Sequence, residues 1–134
     1  MELVTIELHE VYTHISLAGR LDTAGVDRLE PRFTATIVPR RVHALVDMSG
    51  VVFISSLGIG TLVRAARALG SHGAVLVLVS PTSLVRGALE HAQVAALLPM
   101  AETIEHARQM VAASGGAGKR SQDAAARRPS PDGA

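Results

Sequence analysis

The stretch VVFISSLGIG, residues 51–60, begins as an apolar strand core, passes through two adjacent serines and enters a helix start that carries two glycines. That order marks a strand handing over to a helix, and it decides the class of fold. Ser55 is a good N-cap, its hydroxyl able to accept from the free N–H groups of the first turn, and Ser56 is then the first helical residue. Gly58 and Gly60 each cost ~1 kcal/mol against alanine inside a helix. Their presence asks for a reason: close approach of a partner's backbone, or tight packing of the helix on the sheet.

Working outward, Ile59, Leu62, Val63, Ala66 and Leu69 form a helical stripe that Gly70 and Gly73 close. Upstream, HALVDM (43–48) reads as a central strand buried on both faces, with VVF beyond Ser49-Gly50 short and irregular. Before it, Val26, Leu29, Phe33 and Ile37 have helical spacing behind Asp22 or Thr23 as cap. Pro31 implies a kink in that helix, or a start near the proline. Val4, Ile6 and Leu8, then Val11, Thr13, Ile15 and Leu17, alternate on either side of His9-Glu10 and predict an antiparallel hairpin. Downstream, AVLVLV (74–79) is a buried strand and Ser80-Pro81 reads as the start of a helix lined by Leu84, Val85, Ala88 and Leu89. ALLPM holds a short edge strand, and Ile104, Ala107 and Val111 define a last helix. Alternating units after a hairpin predict an α/β fold: a mixed, mostly parallel sheet with about four helices packed against it. Functional groups in such sheets collect at the carboxyl ends of the strands, where FISSLGIG lies.

The totals exclude several classes. Of 134 residues, 48% are hydrophobic but only Tyr12, Phe33 and Phe53 are aromatic, so the core is aliphatic. A net charge of +1 announces no nucleic-acid surface. Cysteine is absent, which excludes disulfides and thiolate metal sites. No metal or cofactor is expected. The N-terminus MELVTIELHE has no secretory pattern, and no stretch approaches the ~20 apolar residues of a membrane span. A cytoplasmic protein without direct membrane insertion is the expectation. From Ser114 the composition turns to Gly, Ala, Ser, Pro and Arg without apolar period. Residues 1–113 are therefore expected to fold as one domain, and 114–134 to form a disordered tail.

The serine pair admits four readings. It is a helix cap; an anion cradle at a helix N-terminus; a nucleophile; or a hydroxyl held out for modification. The cradle lacks the Lys-Ser/Thr ending of a nucleotide loop. The nucleophile lacks a histidine placed beside it by any local pattern, since His14, His43, His72, His91 and His106 are scattered. A phosphate at Ser56 would add ~1.5–2 negative charges at a helix start and spoil a docking surface without unfolding the domain.

VDMSGVVFISSLGIGTLV resembles the signature of STAS domains, the family of sulfate transporters and anti-sigma factor antagonists. ISLAGRLDTAGVDRLEPRF is similar to the family's second strand, Gly-x-Leu-Asp turn and first helix, and residues 73–107 to its last third. The resemblance spans residues 3–112 and implies a single STAS-like domain. By position it implies that Ser56, with Ser55 as alternative, is the serine phosphorylated in the antagonists. The kinase that does so would itself be an anti-sigma factor, and a serine phosphatase is a further candidate partner. It also implies that Asp22 and Asp47 face that serine, and that the protein performs no chemistry itself. Asp22, Asp47, Ser55, Ser56, Leu57, Gly58 and Gly60 are then the expected partner-binding residues. For Asp22 and Asp47 a turn or cap role stands as the simpler alternative. Ser55 stands where the family commonly has an acid, and Leu57 where it has a hydroxyl residue. Two rivals follow: a non-phosphorylated adaptor subunit of a transport complex, and a small serine hydrolase using Ser56.

Overall fold

The strand that carries VVFI is longer than its sequence suggests, and its length sets the architecture. A computed structural model of the protein describes residues 2–113. The tail expected at 114–134 lies outside the described residues. Five strands, β1 (Glu2–Leu8), β2 (Tyr12–Leu21), β3 (His43–Ile54), β4 (Leu76–Val79) and β5 (Met100–Ala101), form a single sheet in sequence order. β1 and β2 pair antiparallel, as the hairpin pattern predicts, and every later pairing is parallel. The helices are α1 (Thr23–Ile37), α2 (Ser56–Gly70), α3 (Ser83–His91) and α4 (Ile104–Ala113).

Each crossover advances the chain by one strand in the same direction. Right-handed crossovers then deliver α1, α2 and α3 to one face of the sheet. The apolar alternation agrees. Ala44, Val46 and Met48 of β3 and Leu76 and Leu78 of β4 join Val26, Leu29, Phe33, Leu62, Leu69, Val85 and Leu89 of the three helices in the larger core. Leu45, Val77 and Val79, pointing the other way, pack with Ala107 and Val111 of α4 in a smaller one. The two-sided burial of β3 and β4 is the reason HALV and LVLV read as continuous apolar runs.

β3 does not stop at Met48. β4 ends where Val79 pairs with Asp47, and residues 48–54 continue beside β2 alone. Two register shifts, between Ser16 and Ala18 and between Gly19 and Arg20, let the longer β3 segment follow β2. Gly50 belongs to this extension for a steric reason: a Cβ there would stand 2.8 Å from the Leu17 carbonyl oxygen and 3.0 Å from the Ala18 Cβ. The Ser49-Gly50 pair that looked like a break is a point of close strand approach.

Three further expectations shift. α1 starts at Thr23, capped by Asp22, and runs through Pro31. The proline is exposed, so the Asp27 carbonyl it leaves without an N–H donor faces water. α3 begins at Ser83 with Thr82 as cap, not at Ser80-Pro81. Ser80 instead takes a left-handed conformation, φ 53°, and its hydroxyl donates to the Glu102 carbonyl at 2.7 Å. The buried face of α2 is Gly58, Thr61, Leu62, Ala65 and Leu69, rotated from the stripe predicted; Ile59, Val63 and Ala66 are half-buried beside it. Arg40, which the sequence pattern does not single out, fastens the hairpin turn by donating to the His9 carbonyl at 2.6 Å and the Thr13 hydroxyl at 2.8 Å.

Candidate functional site

β2 and β3 end side by side, Leu21 opposite Ile54, and each feeds directly into a capped helix. The two junctions are locked together at one atom. The Leu21 carbonyl oxygen accepts from the Ser55 N–H at 3.0 Å and from the Ser55 hydroxyl at 2.9 Å. The same hydroxyl oxygen accepts from the Gly58 N–H at 3.2 Å, completing the N-cap of α2. Ser55 is half-buried, and both its donor and an acceptor lone pair are in use.

Ser56 is the opposite case. It is the first residue of α2, exposed, and its hydroxyl makes no hydrogen bond among the described residues. Leu57 beside it is 44% exposed, so the free hydroxyl has an exposed apolar side chain next to it. The geometry therefore separates the adjacent serines: one is structural and one is presented to solvent.

Gly58 and Gly60 separate in the same way. Gly58 is buried, and a Cβ there would meet the Leu21 side chain at 2.7 Å and its carbonyl oxygen at 2.8 Å. Its bareness serves the seating of α2 on the end of β2, and no partner can reach it from solvent. That corrects its place among the expected partner contacts. Gly60 is half-buried, and a Cβ there would meet only the Arg64 guanidinium, at 3.3 Å. Arg64 bridges from α2 to Glu30 of α1 at 2.9 Å, tying the two helices that flank the junctions.

Asp22 caps α1, its Oδ1 accepting from the Gly25 N–H at 2.9 Å. Arg20 approaches the other carboxylate oxygen with its Nε at 3.3 Å. The Gly25 N–H and, after it, the Arg20 guanidinium hold the Asp22 carboxyl below the usual carboxylate range. Asp22 follows Leu21 and Ser55 follows Ile54, so the two helix starts stand at the same end of the β2–β3 pair. Asp47 is elsewhere. It pairs with Ser16, five strand residues before Leu21, which puts it ~16 Å from the junction. It also alternates with Leu45, toward the α4 face. Its carboxylate accepts from the Ser49 N–H at 2.9 Å, a local turn bond. The expectation that Asp47 faces Ser56 is thereby corrected, because β3 runs on past the residue that looked like its end.

One feature of the junction has no local signature in the sequence. The Arg20 guanidinium lies 4.3 Å from the centroid of the Phe53 ring, stacked across the β2–β3 pair just before both helices begin. The signal was present as a basic residue inside the Gly-x-Leu-Asp turn, but nothing local joins it to an aromatic 33 positions later. Among the described residues, no cluster of His, Asp and Glu side chains is arranged to hold a metal ion, and no helix is long and apolar enough to cross a membrane.

A five-stranded mixed sheet whose first three helices share one face, with a capped serine pair at a βα junction, defines a small α/β class. The STAS domain profile matches residues 3–107, and the chain belongs to that family. The fold is shared with an anti-sigma factor antagonist from Mycobacterium paratuberculosis, at a TM-score of 0.72 and 21% identity over 81% of this chain and 92% of that one. It is shared with the antagonist SpoIIAA in its unphosphorylated form, at 0.65 and 19% over 81% and 96%. Bacillus SpoIIAA in its phosphorylated form also matches, at 0.57 and 17% over 79% and 97%. No curated protein matches the chain in sequence.

Proposed function

We propose that this protein is an anti-sigma factor antagonist whose partner reads the state of Ser56. Unmodified, it binds a serine kinase that is also the anti-sigma factor, and so frees a sigma factor; phosphorylated at Ser56, it lets that partner go. In the transfer, the Ser56 oxygen attacks the γ-phosphorus of ATP held by the kinase. The bond from that phosphorus to the ADP oxygen breaks, and the serine proton passes to a base of the kinase. A serine phosphatase resets the switch by hydrolysis. The role belongs to a bacterial cytoplasm.

The observation that carries the reading is the contrast within the serine pair: Ser55 is committed to the fold, while Ser56 is exposed and unbonded beside exposed Leu57. A partner that covers Leu57 also covers Ser56. A phosphate there brings ~1.5–2 negative charges into a contact that must be desolvated, which opposes docking without disturbing the core. Asp22 and Gly60 flank this surface. The hydrolase alternative gains nothing from the geometry. His72 follows the far end of α2, His91 ends α3, His43 opens β3, and His106 lies on α4 across the sheet, none of them a base for Ser56.

The test is binding. The full chain, and the same chain with phosphoserine at position 56, are titrated with the serine kinases of its own cell in the presence of ATP analogue. At least a tenfold weaker binding of the phosphorylated form by one kinase supports the reading. Equal binding of both forms, or capture of a transporter ATPase subunit in place of a kinase, refutes it.

A further inference from the structure

The most unusual charge at the junction is Arg20. Its only hydrogen bond among the described residues runs from Nε to Asp22, at 3.3 Å and between two exposed groups, with Arg20 60% and Asp22 38% exposed. Exposed pairs of that length are weak. Both terminal nitrogens of the guanidinium are unengaged among the described residues, while its carbon lies over the Phe53 ring, 4.3 Å from the centroid. The group is oriented but underused.

Resting on the reading that Ser56 is the modified hydroxyl, we propose that Arg20 is the phosphate-reading residue of this site: on phosphorylation its terminal nitrogens leave solvent and clamp the Ser56 phosphate, in competition with Asp22. The reach is sufficient. Arg20 pairs with Phe53, so Ser56 lies three residues beyond that pair and one strand over, at most about 11 Å between Cα atoms at strand spacing. An arginine extends ~7 Å from its Cα and a phosphoserine adds ~4 Å, from standard bond lengths. Arg20 leaves the sheet on the face opposite buried Leu21, and its Nε reaches Asp22 beyond the end of β2, so its route to Ser56 runs around the end of the sheet. A guanidinium offers a phosphate two parallel N–H donors, whereas Asp22 engages Nε alone. Asp22 keeps its Gly25 cap bond when the arginine leaves, so the exchange leaves α1 intact.

The test places phosphoserine at position 56 of the full chain during translation, without any kinase, and follows its phosphorus NMR shift against pH. In the parent chain the second phosphate pKa is expected about half a unit below the ordinary ~6. Arg20→Gln returns it to ~6, and Arg20→Lys restores part of the shift. Identical titrations for the parent and Arg20→Gln chains overturn the clamp and leave the kinase-binding test untouched. Conversely, a kinase that ignores Ser56 refutes the partner switch while an arginine-dependent titration still stands.

Discussion

Replacing Gly58 by alanine tests how α2 is seated. The added methyl would lie 2.7 Å from the Leu21 Cγ, 2.8 Å from the Leu21 carbonyl oxygen and 3.0 Å from its Cδ2. The side chain is fully buried in the core, and the carbonyl is held by two hydrogen bonds from Ser55, so neither can move aside freely. Overpacking of this kind costs about 1–3 kcal/mol, against ~1 kcal/mol recovered by removing a helical glycine. The expected net loss is up to ~2 kcal/mol, or a fall in Tm of up to roughly 10 °C for a domain of this size. Two other glycines serve as controls. Gly60→Ala meets only the far end of Arg64, and Gly87→Ala in α3 meets nothing within 4 Å. The first is expected to be neutral or slightly stabilising, the second stabilising by about 0.5–1 kcal/mol. Urea unfolding of the three variants, read by circular dichroism, ranks them. A Gly58→Ala chain as stable as Gly87→Ala would refute the packing argument.

Ser55→Ala removes both the cap bond and the bond to the Leu21 carbonyl and is expected to cost about 1–2 kcal/mol. Ser56→Ala should change stability by less than about 0.5 kcal/mol in the same unfolding assay. Asp47→Ala, on the other face of the sheet, should leave kinase affinity unchanged in the binding titration. His43 supplies a pH dependence. It is 1% exposed, its Nδ1 accepts from the Val75 N–H at 3.1 Å, and its buried Nε2 has no partner among the described residues. Burial lowers its pKa from 6.5, so the folded state favours the neutral ring. Its contribution is complete above pH 6.5 and is lost as pH falls from there toward the depressed folded value, which unfolding midpoints between pH 8 and 5 should show and His43→Asn should flatten. Asp22 and Glu7, both held below their usual values, weaken the fold only at lower pH. For Asp22 the Gly25 N–H is the main cause, and for Glu7 the bond to His9 and then that to His14.

Much of this molecule is written locally. LVLV, the spacing of Val26, Leu29, Phe33 and Ile37, and the apolar-to-serine handover at Ile54-Ser55 each reflect one element meeting one core, and each forms as its pattern predicts. What was illegible depends on contacts between distant residues. Gly50 looks like a strand end until the Leu17 and Ala18 backbone is placed against it, and for that reason Asp47 reads as the end of a strand that in fact runs on to Ile54. The sequence pattern centres the α2 stripe on its largest apolar residues, whereas the buried line passes through Gly58 and Thr61 because Leu21 fills the space a side chain would take. Ser80 resembled a cap, yet its hydroxyl is drawn to Glu102, 22 residues later. The Arg20–Phe53 stack is a cross-strand pair, invisible until register is known.

Three helix starts at this end of the sheet carry an exposed hydroxyl just after the cap: Thr23, Ser56 and Ser83. Tandem mass spectrometry of the chain after exposure to ATP and its cell's serine kinases therefore asks the central question directly. Phosphate on Ser56, kept in Ser55→Ala and abolished in Ser56→Ala, is the predicted result. Phosphate on Ser55, Thr23 or Ser83, or on no residue despite a bound kinase, would contradict it.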